Sequence, residues 1–72
     1  MDEDQQRERA DLLSRLFALI TMKLEDAAGI AAECQGRRLT EELRERVEKL
    51  DVLLIEVGTI VAGTAALLAG DV

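Results

Sequence analysis

Residues 34–43 read CQGRRLTEEL, and this stretch decides the fold. Gly36 is the residue type that sits just past a helix end, where a left-handed backbone costs a side-chain-bearing residue most. Arg37 and Arg38 place cations at the negative end of the preceding helix dipole. Thr40 then has the chemistry of an N-cap, with Glu41 and Glu42 in the first turn of a following helix. One helix stops here and another starts about four residues later. A connection that short forces the two to run antiparallel.

Outward from the break, both flanks are periodic. On the N-terminal side Leu13, Phe17, Ile20, Leu24, Ala27, Ala31 and Cys34 recur in steps of four and three, a heptad seam of coiled-coil type. Leu12, Leu16, Leu19 and Ile30 widen one flank, while Asp11, Ser14, Arg15, Glu25 and Glu33 occupy the opposite side. On the C-terminal side Leu39, Leu43, Val47, Leu50, Leu54, Val57, Val61, Ala65 and Leu68 repeat the pattern. Proline is absent, and Leu, Ala, Glu and Arg favour helix throughout. The expected fold is all-α, one domain over residues 1–72, with helices at about 3–35 and 40–69.

The halves of the second helix differ. Near the break it is charged, with Glu42–Arg46 and Glu45–Lys49 at the favourable i, i+4 spacing. From Val52 to Gly70 the single charged residue is Glu56. A flank of Leu53, Ile60 and Leu67 and a third strip of Ile55, Gly58, Ala62, Ala66 and Ala69 make this stretch apolar nearly all round. A helix of that kind needs cover, and each large side chain left wet forfeits about 1.5–3 kcal/mol. The sequence therefore predicts self-association, as a dimer or higher, into a four-helix bundle. The expected interface is Leu12, Leu16, Leu19, Leu53, Val57, Ile60 and Leu67, with Glu56 as a candidate polar site.

Composition narrows the chemistry. The chain has no histidine and one cysteine, and its formal net charge is −6. Without histidine there is neither a Glu-x-x-His metal site nor a base for Cys34, so no catalytic residue, metal or cofactor is expected. Glu41, Glu42, Glu45 and Glu48 read as a solvated face, and Cys34 as a core thiol. The acidic balance disfavours nucleic acid as a partner: the basic residues between Arg37 and Lys49 are interleaved with acids, and no aromatic lies among them for stacking. The hairpin dimer resembles, in architecture alone, the plasmid copy-number regulator Rop, an RNA-binding protein. No motif is shared, and architecture does not carry function.

The acidic start is unlike a secretory leader, and a lone cysteine suits a reducing compartment; a cytoplasmic location is expected. The functional expectation is a non-enzymatic interaction or oligomerisation module (adaptor, chaperone-like or regulatory) with itself and a heterologous protein as partners. A membrane-associated small helical protein is the alternative. Against it, the uncharged run from Val57 to Ala69 falls short of the roughly 20 residues a spanning helix needs.

Overall fold

The structure is a computed structural model that describes residues 2–36 and 40–70. It is all-α, with α1 over Glu3–Cys34 and α2 over Glu41–Ala69 packed against each other. The expected bounds are met to within a residue or two. Arg37, Arg38 and Leu39, on which the capping cations and the first seam position of the second helix were placed, lie outside the described residues.

The local chemistry of the break is as the sequence predicts. Gln35 donates its backbone N–H to the Ala32 carbonyl, and Gly36 takes φ 73°. Adding a Cβ there would meet open space, so the glycine is required by backbone conformation alone. Thr40 is extended, and its hydroxyl accepts a hydrogen bond from the Leu43 N–H at 3.2 Å. That bond satisfies one of the orphan donors of the first turn of α2. Thr40→Ala is therefore expected to cost about 1 kcal/mol, read as a lower melting temperature by circular dichroism. At α2's other end Gly70 donates to the Ala66 carbonyl at 3.1 Å.

The hairpin is a rod, 56 × 16 × 13 Å, with a Cα radius of gyration of 16.8 Å. A compact chain of this length would measure about 11 Å. Two helices alone cannot wrap a core, and none forms. Among the described residues Ala27, 7% exposed, is the one buried apolar residue, and Thr64, 4% exposed, the one buried polar residue. Thr64 meets its own polar need by donating to the Ile60 carbonyl at 2.8 Å.

Which rows face inward differs from the sequence expectation. The covered residues of α1 are Arg9, Leu13, Leu16, Ile20, Lys23, Ala27, Ile30 and Cys34; those of α2 are Leu43, Arg46, Leu50, Leu53, Val57, Ile60 and Thr64. Both sets step by three and four, so they are the a and d positions of a heptad. With a at Leu13, Ile20, Ala27 and Cys34, and at Leu43, Leu50, Val57 and Thr64, the only covered residues outside a and d among the described residues are Leu19 and Glu56, both at g. The expected seams had combined a with e. Their e members Phe17, Leu24, Val47, Leu54, Val61 and Leu68 are exposed. The d row that replaces them holds three cations, Arg9, Lys23 and Arg46.

Candidate interaction surface

Each d-row cation is accommodated because its stem packs in the seam while its charged head reaches a partner on the other helix. Arg9 donates to the Leu67 carbonyl, Lys23 pairs with Glu56, and Arg46 pairs with Glu33. Arg46 also holds Glu42, one turn back in its own helix, at 3.1 Å. The hydrogen bonds from Glu42 and then Glu33 raise the pKa of the Arg46 guanidinium further above its ordinary value, so this cation is charged at any working pH. The clasps also set the register. From Lys23 to Glu33 is ten residues forward along α1, and from Glu56 to Arg46 is ten back along α2. A slip of one turn would break both pairs at once.

Glu56, the odd charge of the apolar run, is thus a seam-edge residue with an assigned partner. Its side chain is 44% exposed and that of Lys23 21%, so solvent screens the pair and its own worth is about 1 kcal/mol or less. Leaving Lys23 alone in the seam is the larger effect. Glu56→Ala is expected to lower the melting temperature. Lys23→Leu combined with Glu56→Ala is expected to restore it to the wild-type value or above, because a leucine fills the d row without a charge. A double variant less stable than the single would sink this account of the pair.

The clasps sort the surface into two faces. In the Lys23–Glu56 and Arg46–Glu33 pairs a g residue, Glu56 or Glu33, meets a d residue of the other helix. Both g rows therefore lie along one edge of the seam, and both e rows along the other. The g edge is polar, carrying Asp26, Glu33, Lys49 and Glu56, with Leu12 and Leu19 toward the open end. A shallow groove there is lined by Gln5, Glu8, Arg9, Leu12 and Leu67. The e edge carries Ala10, Phe17, Leu24 and Ala31 from α1 and Val47, Leu54, Val61 and Leu68 from α2, all exposed. Beyond Glu3 in the first turn of α1, no charged residue stands in its a or e rows, and near the turn Leu43 and Val47, with Arg44 and Glu48 beside them, line a groove on it.

Of the interface residues expected from sequence, Leu16, Leu53, Val57 and Ile60 are half-buried a and d residues of the hairpin itself. Leu12 and Leu67 are exposed and Leu19 half-buried, around the open end of the polar edge. The structure does not bring the seven together as one outward face. Sequence reasoning had instead put into the seam the six large e residues that face outward. Their signal was present: from Ala10 to Ala31 and from Val47 to Leu68 the e rows carry no charge, and such rows serve a partner as well as they serve a hairpin.

Eleven large apolar side chains are exposed among the described residues, and none is fully buried. The chain exposes 5678 Å², against about 4,400 Å² for a compact protein of 7.9 kDa. The described residues contain no cluster of three or more His, Cys, Asp or Glu placed to hold a metal, and Cys34 is a half-buried free thiol. Glu41, Glu42, Glu45 and Glu48 are exposed. No protein-family model, curated protein or solved structure matches the chain.

Proposed function

We propose that this chain is a non-enzymatic oligomerisation module: a helical hairpin that becomes stable by self-association, as a dimer or higher, into a four-helix bundle, and so brings together whatever each copy binds. The observation that carries this reading is the exposure of eleven large apolar side chains on a hairpin with no core of its own. Six of the eleven, Phe17, Leu24, Val47, Leu54, Val61 and Leu68, share one edge; contiguous apolar surface marks an interaction site, and bundle helices of soluble proteins bury three rows of the heptad, where a lone hairpin covers two. The expected result is a mass of at least twice 7.9 kDa by light scattering at micromolar concentration. A stable monomer would overturn it.

A second reading rests on α2, the one helix among the described residues long and apolar enough to cross a membrane, with 6% of its most apolar 18-residue window buried. Against it stand Arg9, Asp11 and Arg15 of α1, which flank that half of α2 and would be carried to the same depth. Charges at the bilayer centre cost several kcal/mol each. Under this reading the purified chain would float with lipid vesicles and would need detergent to stay dispersed. Under the favoured one it does neither.

A further inference from the structure

We infer that the apolar e edge is the self-association surface, and that a second copy of this chain seats on it head to tail, about a two-fold axis perpendicular to the rod. The inference rests on the self-association reading and adds the face and the orientation. Phe17, Leu24, Val47, Leu54, Val61 and Leu68 form the face. The antiparallel register set by Lys23 and Glu56 puts Leu24 level with Leu54 and Phe17 level with Val61. Large side chains of both helices thus meet at mid-rod, while toward the ends Val47 and Leu68 lie level with the small Ala31 and Ala10.

Area supports a copy of the chain as the occupant. Two separate hairpins expose twice 5678 Å², and a compact protein of the doubled mass exposes about 7,300 Å². The difference of about 4,000 Å² falls within the span of obligate homodimers, about 2,000–5,000 Å². The opposite edge offers no such surface, being interrupted by Asp26, Glu33, Lys49 and Glu56.

Two features set the orientation. The first is charge. Asp2, Glu3, Asp4, Glu8 and Asp11 crowd the open end against Arg7 and Arg9, while charges near the turn are mixed. Stacking two hairpins with turns at the same end would place both acidic clusters together. Head-to-tail stacking separates them by nearly the 56 Å rod, far beyond a Debye length of about 8 Å.

The second feature is Gly58. It lies mid-helix beside the e row, and a Cβ added there would meet nothing within 4 Å in the hairpin, as is also true of Gly29 and Gly63 away from that edge; position, not local space, sets Gly58 apart. A helical glycine is unfavourable relative to alanine, and nothing within one chain calls for it. In the head-to-tail pair Leu54 faces the partner's Val61, so the two-fold axis passes α2 next to Gly58, where the two α2 backbones approach. A glycine relieves that crossing.

The wild-type mass is measured first, by light scattering. A monomer removes the self-association reading and this inference with it; a dimeric wild type isolates the face and the orientation for test. For the face, Leu54→Ser with Val61→Ser is expected to weaken self-association roughly 100-fold. Leu12→Ser with Leu19→Ser, toward the other edge, is expected to leave it unchanged. Equal losses, or the reverse order, overturn the face.

For the orientation, Thr21→Cys in a Cys34→Ser background leaves the large side chains of the face intact, so it reads the pairing even where the serine variants unfold. Position 21 meets its own counterpart across the proposed axis, and a disulfide-linked dimer is expected on mild oxidation. With turns at the same end the two α1 helices would be diagonal, about 13 Å apart, too far for the Cα span of about 7 Å. Thr21→Cys with Gly58→Cys would then link while Thr21→Cys alone stayed reduced. That result overturns the head-to-tail pairing.

Discussion

Leu53→Asp is expected to abolish the folded hairpin, and Ile55→Asp, two residues on, to leave its stability within about 0.5 kcal/mol of the wild type. Leu53 is a half-buried d residue in the inward row of α2, whereas Ile55, at 61% exposure, points directly away from α1. An aspartate at 53 would bring a carboxylate into the seam without a designated cation. The neighbouring charges are already engaged, Lys23 with Glu56 and Arg46 with Glu33 and Glu42. An unpaired charge in such a place costs about 3 kcal/mol or more. Small domains have about 5–15 kcal/mol in total, and a 72-residue chain belongs at the lower end of that range. Far-ultraviolet circular dichroism against temperature reads both variants. Similar unfolding of the two would mean that α2 is rotated from the orientation described.

Ala27→Phe is the second large effect. Ala27 is the tightest apolar point of the interface between the helices, 7% exposed, and its small size sets how closely α1 and α2 approach there. A phenyl ring at that point would have to push the helices apart or leave its preferred rotamers, at a cost of about 2–3 kcal/mol. The same substitution at Ala32, exposed on the outer side of α1, adds a ring to open solvent and is expected to change little. A melting temperature for Ala27→Phe equal to that of Ala32→Phe would show that the helices do not meet closely at residue 27. The clasps predict a further signature: Lys23–Glu56 and Glu33–Arg46 sit on either side of that point, so a ring at 27 strains both.

How far the inward rows were legible follows from particular residues. In both helices apolar residues occupy a, d and e together, so a count of periodic positions cannot choose between a with d and a with e. Lys23 and Arg46 tip a sequence reader toward a with e, because a cation in a seam looks like an error. Each is tolerated because a carboxylate, Glu56 or Glu33, stands on the other helix at the matching height. That height is a distance between chain segments 33 and 13 residues apart, which no local pattern contains. Glu56 was legible as the anomalous charge of its run, but its partner was not, since Lys23 reads in sequence as one more solvated lysine.

The chain's local order determined the elements. Absence of proline, the left-handed Gly36, the Thr40 cap and heptad-spaced apolar residues each act over a few residues, within reach of sequence reasoning. They fix two helices, their ends and their antiparallel course. Tertiary structure alone decided how each helix is rotated about its axis. Rotation is set by the sum of side-chain packing and the three clasps across the seam, and its alternatives differ by less than the apolar pattern can resolve. From that rotation follows which apolar rows the hairpin consumes and which, Phe17, Leu24, Val47, Leu54, Val61 and Leu68, it leaves facing outward.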